Sequence, residues 1–446
     1  MGGVKIKHIM NFYNPLFRGK PIFYGWVIVS GLGLVTMVSM GMLGINFGLF
    51  IEPISRELKI GQTFFGWAQS ARLLGSATSG LVLGRILDRY GARWPMAIAG
   101  ILICGVILMM SIIQEGWQVV AIFLMMGLIG LQGGGGNLYT VVTISNWFVR
   151  KRSQAMSRVF LGTSIGILIF APLTAYLIES IGWRNATVIL GIVGGVVVLL
   201  VALLIRRKPE DIGQFIDGNS IQVPDIDNNG PIEGEQQQDD PDETLEEYSW
   251  TRAEAIHSPA FWKLSLAFGL AAFANGTIQL FRVPHFVSRG IDPQIVAYSL
   301  SFEAVIVLAI IMPIGYAAGR IRLRYLLIGS QLVRVIVILL MFVTTEAWQA
   351  FVANGLFGIA ATSQMIIMSI IYPNYFGKAN IGSIRGLALP VTTALSFAGA
   401  PFAGIIFDVY GTYELAWIVA ISFAIISSVL FLFTPKPTPP VQLNSY

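Results

Sequence analysis

Four ionisable side chains lie deep inside long apolar runs of this chain: Arg72, Arg282, Glu303 and Arg334. A charge drawn into hydrocarbon is costly, so each is a functional candidate by default. Asn275, Gln279 and Arg282 fall at i, i+4 and i+7, which on a helix is one face. A guanidinium grips a carboxylate through two parallel hydrogen bonds and stays charged at every relevant pH. Glu303 is the one carboxylate well inside an apolar run. Arg282 precedes the turn near Gly290 and Glu303 follows it by similar distances. Antiparallel neighbours would then hold the two at depths differing by only a few Å, at about 1.5 Å per residue. Two chemistries fit such a pair. A proton neutralises Glu303 and frees Arg282 for an anion, or the pair is static and keeps both charges tolerable.

The other candidates are weaker signals. Arg72 either lines a cavity or snorkels outward. Arg334 lies near mid-depth of its apolar run. Asn46, Gln132, Asn137, Tyr139 and Gln364 are polar positions in otherwise apolar runs, suited either to cargo contacts or to interhelical hydrogen bonds. Asn354, Gly358 and Thr362 share a face beside Gln364. The run Gly133–Gly136 is no phosphate loop, because it lacks the Lys-Ser/Thr that such a loop needs.

The elements that position these residues follow from composition. The 446 residues are 55% hydrophobic and 12% charged. A soluble protein carries about 25% charged residues, so lipid must be the solvent here. About twelve apolar runs are long enough to cross a core of about 30 Å. The first is expected at Tyr24–Ile51 and the second at Phe65–Gly84. The first is too long for a signal-peptide core and is expected to be retained. Lys and Arg concentrate in alternate connections, which the positive-inside rule makes cytoplasmic together with both termini. The net charge of +5 is explained by these loops and implies no nucleic-acid partner. The single Cys104 excludes a disulfide framework, and no metal or other cofactor is expected. Three histidines, none mid-span, argue against a membrane-embedded enzyme.

The chain also repeats itself. Asn146-Trp147-Phe148 leads to Ala171-Pro172, Glu179 and Gly182, while Asn374-Tyr375-Phe376 leads to Ala400-Pro401, Asp408 and Gly411. Leu49-Phe50 echoes Leu280-Phe281, which pairs Ile51 with Arg282. Duplicated helical units suggest a transporter built from repeats. The expected organisation is an all-α membrane protein with twelve transmembrane helices in two six-helix halves, 1–207 and 258–446. The stretch 208–257 is acidic and Gln-rich, and is expected to be a disordered tether.

The connection Gly84-Arg85-Ile86-Leu87-Asp88-Arg89-Tyr90-Gly91-Ala92-Arg93 resembles the signature loop of the major facilitator superfamily. "FYGWVIVSGLG", "NWFVRKRSQAMS", "GWR" and "GAPFAGIIFDVYGTY" are similar to the monocarboxylate porter branch, which includes oxalate/formate antiporter relatives. The resemblance implies the major facilitator fold, cavity-lining first, fourth, seventh and tenth helices, a peripheral ninth helix that gives Arg334 a structural partner rather than cargo, and a gating latch at Asp88 with Arg89 and Arg93. The chain departs from that branch at the arginine usually found before the eighth-helix proline, where it has Met312-Pro313. Together the resemblance and the buried charges lead us to expect a secondary transporter of the inner (plasma) membrane. Its expected cargo is a small organic anion, a mono- or dicarboxylate, moved with protons or by exchange, by a chain that works as a monomer. Arg282, Gln279, Asn275, Asn46, Gln132, Asn137, Tyr139, Gln364 and Arg72 would bind cargo, and Glu303 would couple protons. The rival expectation is a neutral or amphipathic solute with the charges acting as gates.

Overall fold

Where no water reaches the backbone, every N–H and C=O must find a partner within its own segment, and a helix does this. The computed structural model describes residues 23–42, 46–130, 138–148, 151–215, 250–377 and 381–438, and among them there is no strand. In chain order the helices are α1 (Tyr24–Met42), α2 (Gly48–Leu58), α3 (Gln62–Tyr90), α4 (Arg93–Met110), α5 (Gly116–Ile129), α6 (Leu138–Trp147) and α7 (Arg152–Leu204), then α8 (Arg252–His257), α9 (Pro259–Ser288), α10 (Pro293–Ala318), α11 (Leu323–Val343), α12 (Ala347–Phe376), α13 (Ile381–Tyr410) and α14 (Glu414–Leu432).

Among the described residues, eight helices are long and apolar enough to cross a membrane. The expected twelve crossings come from how the remaining runs are cut. α7 holds two crossings, because Gly182 breaks it at φ 80°, a left-handed conformation that glycine adopts freely. The first crossing is divided into α1 and α2, and the fourth into α5 and α6. α3 is long enough but carries Arg72, Arg85 and Arg89. Helices also outrun their apolar runs. α2 continues to Leu58, ending where Lys59 turns left-handed at φ 54°. α3 absorbs much of the signature connection and stops at Tyr90, capped by Gly91 at φ 75°. Polar residues remain helical where a helix end reaches water, so hydropathy alone places those ends too early.

The two sets of six crossings meet along two long seams, α3 with α13 and α7 with α10, and at a shorter contact of α2 with α9. The described polar contacts between them lie at one end of the bundle, remote from Tyr24 and Leu432, here called the distal end. The Asp408 carboxylate accepts the backbone N–H groups of Gln62 at 2.6 Å and Thr63 at 2.8 Å, so α13 caps the N-terminus of α3. Ser70 donates to the Phe397 carbonyl. On the other seam Ser301 donates to Leu168 O at 3.0 Å and Gln294 to Pro172 O at 3.2 Å. The α3–α13 backbones touch. A Cβ on Gly66 would lie 2.6 Å from Ala400 O, which no larger residue tolerates.

The stretch expected to be a disordered tether is ordered at both described flanks. Pro209–Ile212 forms a 3-10 turn, and Gln214 accepts the Tyr24 N–H at 3.0 Å. At the other flank the Thr251 hydroxyl and Glu254 carboxylate cap α8 reciprocally, and Trp250 stacks edge-on against Phe376 at 5.6 Å. Sequence polarity hides these anchors because each is a single residue docking on a helix end. Residues 216–249 lie outside the described part.

Candidate functional site

The helical spacing that groups Asn275, Gln279 and Arg282 holds in α9, where Asn275 donates to the Gln279 amide oxygen at 3.4 Å. One turn further, Arg282 is buried and forms an ion pair with Glu303 of α10, Nη2 to Oε2 at 2.7 Å. The Arg282 guanidinium carbon also sits 4.3 Å from the centroid of the Phe357 ring in α12. A desolvated cation over an aromatic face gains about 2 kcal/mol. Nε and Nη1 of Arg282 have no hydrogen-bond partner among the described residues. The guanidinium therefore keeps two donor nitrogens in reserve beyond its carboxylate.

Glu303 is positioned by the packing of α10 on α12. One turn before it, the Ser299 hydroxyl accepts from Asn354 at 2.6 Å, which fixes the register of the two helices. Opposite Glu303 stands Gly358, where a Cβ would come 2.9 Å from the Glu303 Cγ and 3.0 Å from Val307. The face formed by Asn354 and Gly358 thus serves the α10–α12 contact and makes room for the acid.

A second polar cluster surrounds Arg334, which projects from α11 and is fully buried. Its Nη1 donates to Gln331 Oε1 at 2.8 Å and to the Ala271 carbonyl at 3.2 Å, and its Nη2 to Asn275 Oδ1 at 3.5 Å. Gln331 in turn donates to Gln364 Oε1 at 3.4 Å. Among the described residues no carboxylate forms an ion pair with Arg334, in contrast to Arg282.

The remaining candidates are scattered. Asn46 is buried where α2 begins. Tyr139 donates to the Ile129 carbonyl at 3.2 Å and so ties α6 to the end of α5. Arg72 is half-buried, with its guanidinium 5.8 Å from the Phe123 ring of α5 in its own half. Arg89 lies over Tyr90 at 5.4 Å and Arg93 over Trp94 at 5.6 Å, at the end of the bundle away from the Arg282 pair. Gln132, Asn137 and the Asp88 side chain lie outside the described residues.

Three contributors escaped the sequence reading. Phe357 carries no signal of its own in an apolar run. Gln331 does: a glutamine three residues before a buried arginine is a polar pair on one helix face. His285 lies one turn beyond Arg282, buried, with Nε2 2.8 Å from the Met341 carbonyl and its ring against Tyr413 and Trp417.

The family model described as the Major Facilitator Superfamily matches residues 32–308, more than half of the chain. The chain belongs to the major facilitator superfamily. Among curated proteins, this facilitator is 22% identical over 433 residues to monocarboxylate transporter 11 of Mus musculus, covering 93% of this chain and 88% of that one. It is 24% identical over 428 residues to monocarboxylate transporter 13 of Bos taurus, covering 92% and 89%. The oxalate:formate antiporter of Oxalobacter formigenes is 23% identical over 278 residues, covering 61% and 58%. These relatives put the facilitator in the monocarboxylate porter and oxalate–formate antiporter-like branch. Among solved structures, a bacterial homologue of the human lysosomal transporter Spinster, inward-facing and occupied, superposes with a TM-score of 0.70 at 13% identity, covering 93% of this chain and 97% of that one. The nucleoside transporter NupG superposes at 0.68 and 13% identity, covering 92% and 100%. Those two likenesses concern the fold alone. The facilitator is therefore a multi-pass membrane transporter of two six-helix halves, not an enzyme.

Proposed function

We propose that this facilitator carries a small organic anion, a mono- or dicarboxylate, across the plasma membrane by alternating access, with Glu303 exchanging a proton as Arg282 takes and releases the cargo. The observation that carries this reading is the buried Arg282–Glu303 pair at 2.7 Å. A carboxylate cargo and the Glu303 carboxylate compete for the same guanidinium. Protonating Glu303 releases it, and an anion can then accept the donors that Glu303 leaves unused. The reading also draws on the printed names of the curated relatives, monocarboxylate transporters and an oxalate:formate antiporter. Lys and Arg bias in the connections supports cytoplasmic termini, with residues 208–257 linking halves 1–207 and 258–446 on that side.

Uptake of radiolabelled lactate, pyruvate, oxalate and formate into proteoliposomes, with and without a pH gradient, tests this. The parent should accumulate at least one of them. Glu303→Gln should transport without responding to the gradient. A gradient response unchanged in Glu303→Gln would make the pair static, and no uptake of any carboxylate by the parent would remove the anion reading.

A further inference from the structure

The Arg334 cluster has a direction, and the direction is fixed by chemistry. A guanidinium has donors and no acceptor, so every amide touching it must present its oxygen. Asn275 therefore turns Oδ1 toward Arg334 and its NH2 group away, where that group donates to Gln279 Oε1. Gln331 likewise gives Oε1 to Arg334 and passes its NH2 to Gln364 Oε1. Two relays thus start at one buried cation, and each ends in an NH2 group, one on Gln279 and one on Gln364. Among the described residues neither terminal NH2 has a protein acceptor. Hydrogen bonds in such chains polarise one another, so the positive charge of Arg334 is felt at both ends.

The charge balance agrees with the direction. Arg282 is compensated by Glu303, whereas among the described residues Arg334 is met by neutral oxygens only. A buried cation without a counter-acid is costly, and an arriving anion would offset that cost. Asn275 lies seven residues from Arg282 on the same face of α9, about 10 Å along the axis at 1.5 Å per residue. Gln279 stands between them, within a turn of each.

We infer that Arg334, Gln331, Asn275, Gln279 and Gln364 form a second anion subsite, in which the amide NH2 groups of Gln279 and Gln364 receive a carboxylate of the cargo under the charge of Arg334. This rests on the carboxylate reading above and adds where the cargo is held before Arg282 is released. Gln279 and Gln364 touch the cargo in this scheme, while Arg334 and Gln331 are positioning residues that act through them.

The test is binding of radiolabelled oxalate and L-lactate to the purified full chain in lipid nanodiscs, with pyruvate and formate as competitors. Arg334→Met should weaken binding about ten-fold or more, the loss expected when hydrogen bonding to a charged group is removed. Arg334→Lys, which keeps the charge, should weaken it less. Gln279→Glu and Gln364→Glu replace a terminal NH2 by a carboxylate oxygen and should abolish binding at neutral pH. A merely structural arginine predicts a different result: Arg334→Met would lower the thermal midpoint while its folded fraction bound with parental affinity, and that result would overturn the subsite. If Arg334→Met does not fold, parental affinity in both glutamate variants overturns it equally. A parent that binds oxalate or lactate alongside such variants leaves the anion reading standing, whereas a parent that binds none of the four carboxylates removes both.

Discussion

Replacing Asp408 by asparagine should loosen the distal end of the bundle without touching either buried arginine. Both carboxylate oxygens accept first-turn N–H groups of α3, at 2.6 Å from Gln62 and 2.8 Å from Thr63. Asparagine keeps one oxygen, but turns an NH2 group toward the other N–H and loses the charge that favours a helix N-terminus. A cap is worth about 1 kcal/mol and the charge–dipole contribution about 0.3–1 kcal/mol. Asp408 is exposed, so screening brings the net loss down to about 1 kcal/mol. That is roughly a five-fold change in the ratio of distally open to distally closed molecules. Spin labels at Gln114→Cys and Thr345→Cys, in a Cys104→Ser background, would sit in exposed distal connections of opposite halves. Electron–electron double-resonance distances between them should show the long-distance population rising about five-fold in Asp408→Asn. Identical distance distributions in parent and variant would refute the reasoning and leave the seam to the backbone contact of Gly66 with Ala400.

Two further outcomes are expected. Gly358→Ala pushes a methyl to 2.9 Å from the Glu303 Cγ, so it should destabilise the protein by about 1–3 kcal/mol and displace the acid from Arg282; thermal unfolding together with the pH profile of uptake checks both, and parental values in each would count against the packing account. At the distal end of the first half, the hydrogen bond from Arg184 and that from Trp183 hold the Glu57 carboxyl below its usual range. That stabilisation is full above the unfolded-state pKa of about 4.3 and disappears as pH falls through the lower folded value. Arg184→Ala should therefore flatten the acid limb of a thermal midpoint measured against pH, and parallel acid limbs in parent and variant would argue against it.

The twelve crossings were legible because run length and the thickness of hydrocarbon are matched quantities. The Arg282–Glu303 pair was legible for a similar reason: equal distances from one turn mean equal depth in antiparallel helices. What escaped depends on which faces meet. Nothing local tells Phe357 to lie under a guanidinium, or Gly358 to stand opposite Glu303, because both follow from the crossing of α12 over α10. Arg334 was expected to have a structural partner because the family resemblance makes its helix peripheral; its side chain in fact reaches past Gln331 to Asn275 of α9. Tyr139 and Arg72 were singled out for polarity in apolar runs, yet each is turned to a neighbour in its own half. The break at Gly182 was legible too, because the repeat pairs it with Gly411 and the apolar runs stop on either side of it.

The lack of a counter-acid at Arg334 among the described residues has a kinetic side. If the cargo anion is what compensates Arg334, an empty half-cycle moves an uncompensated cation with its half of the bundle, while a loaded half-cycle moves a compensated one. The empty return should be the slow limb. Anion-for-anion exchange across the bilayer would then outrun net flow in either direction, even though the same helices swing in both, and the ratio of the two fluxes would report how much charge the unloaded interior carries.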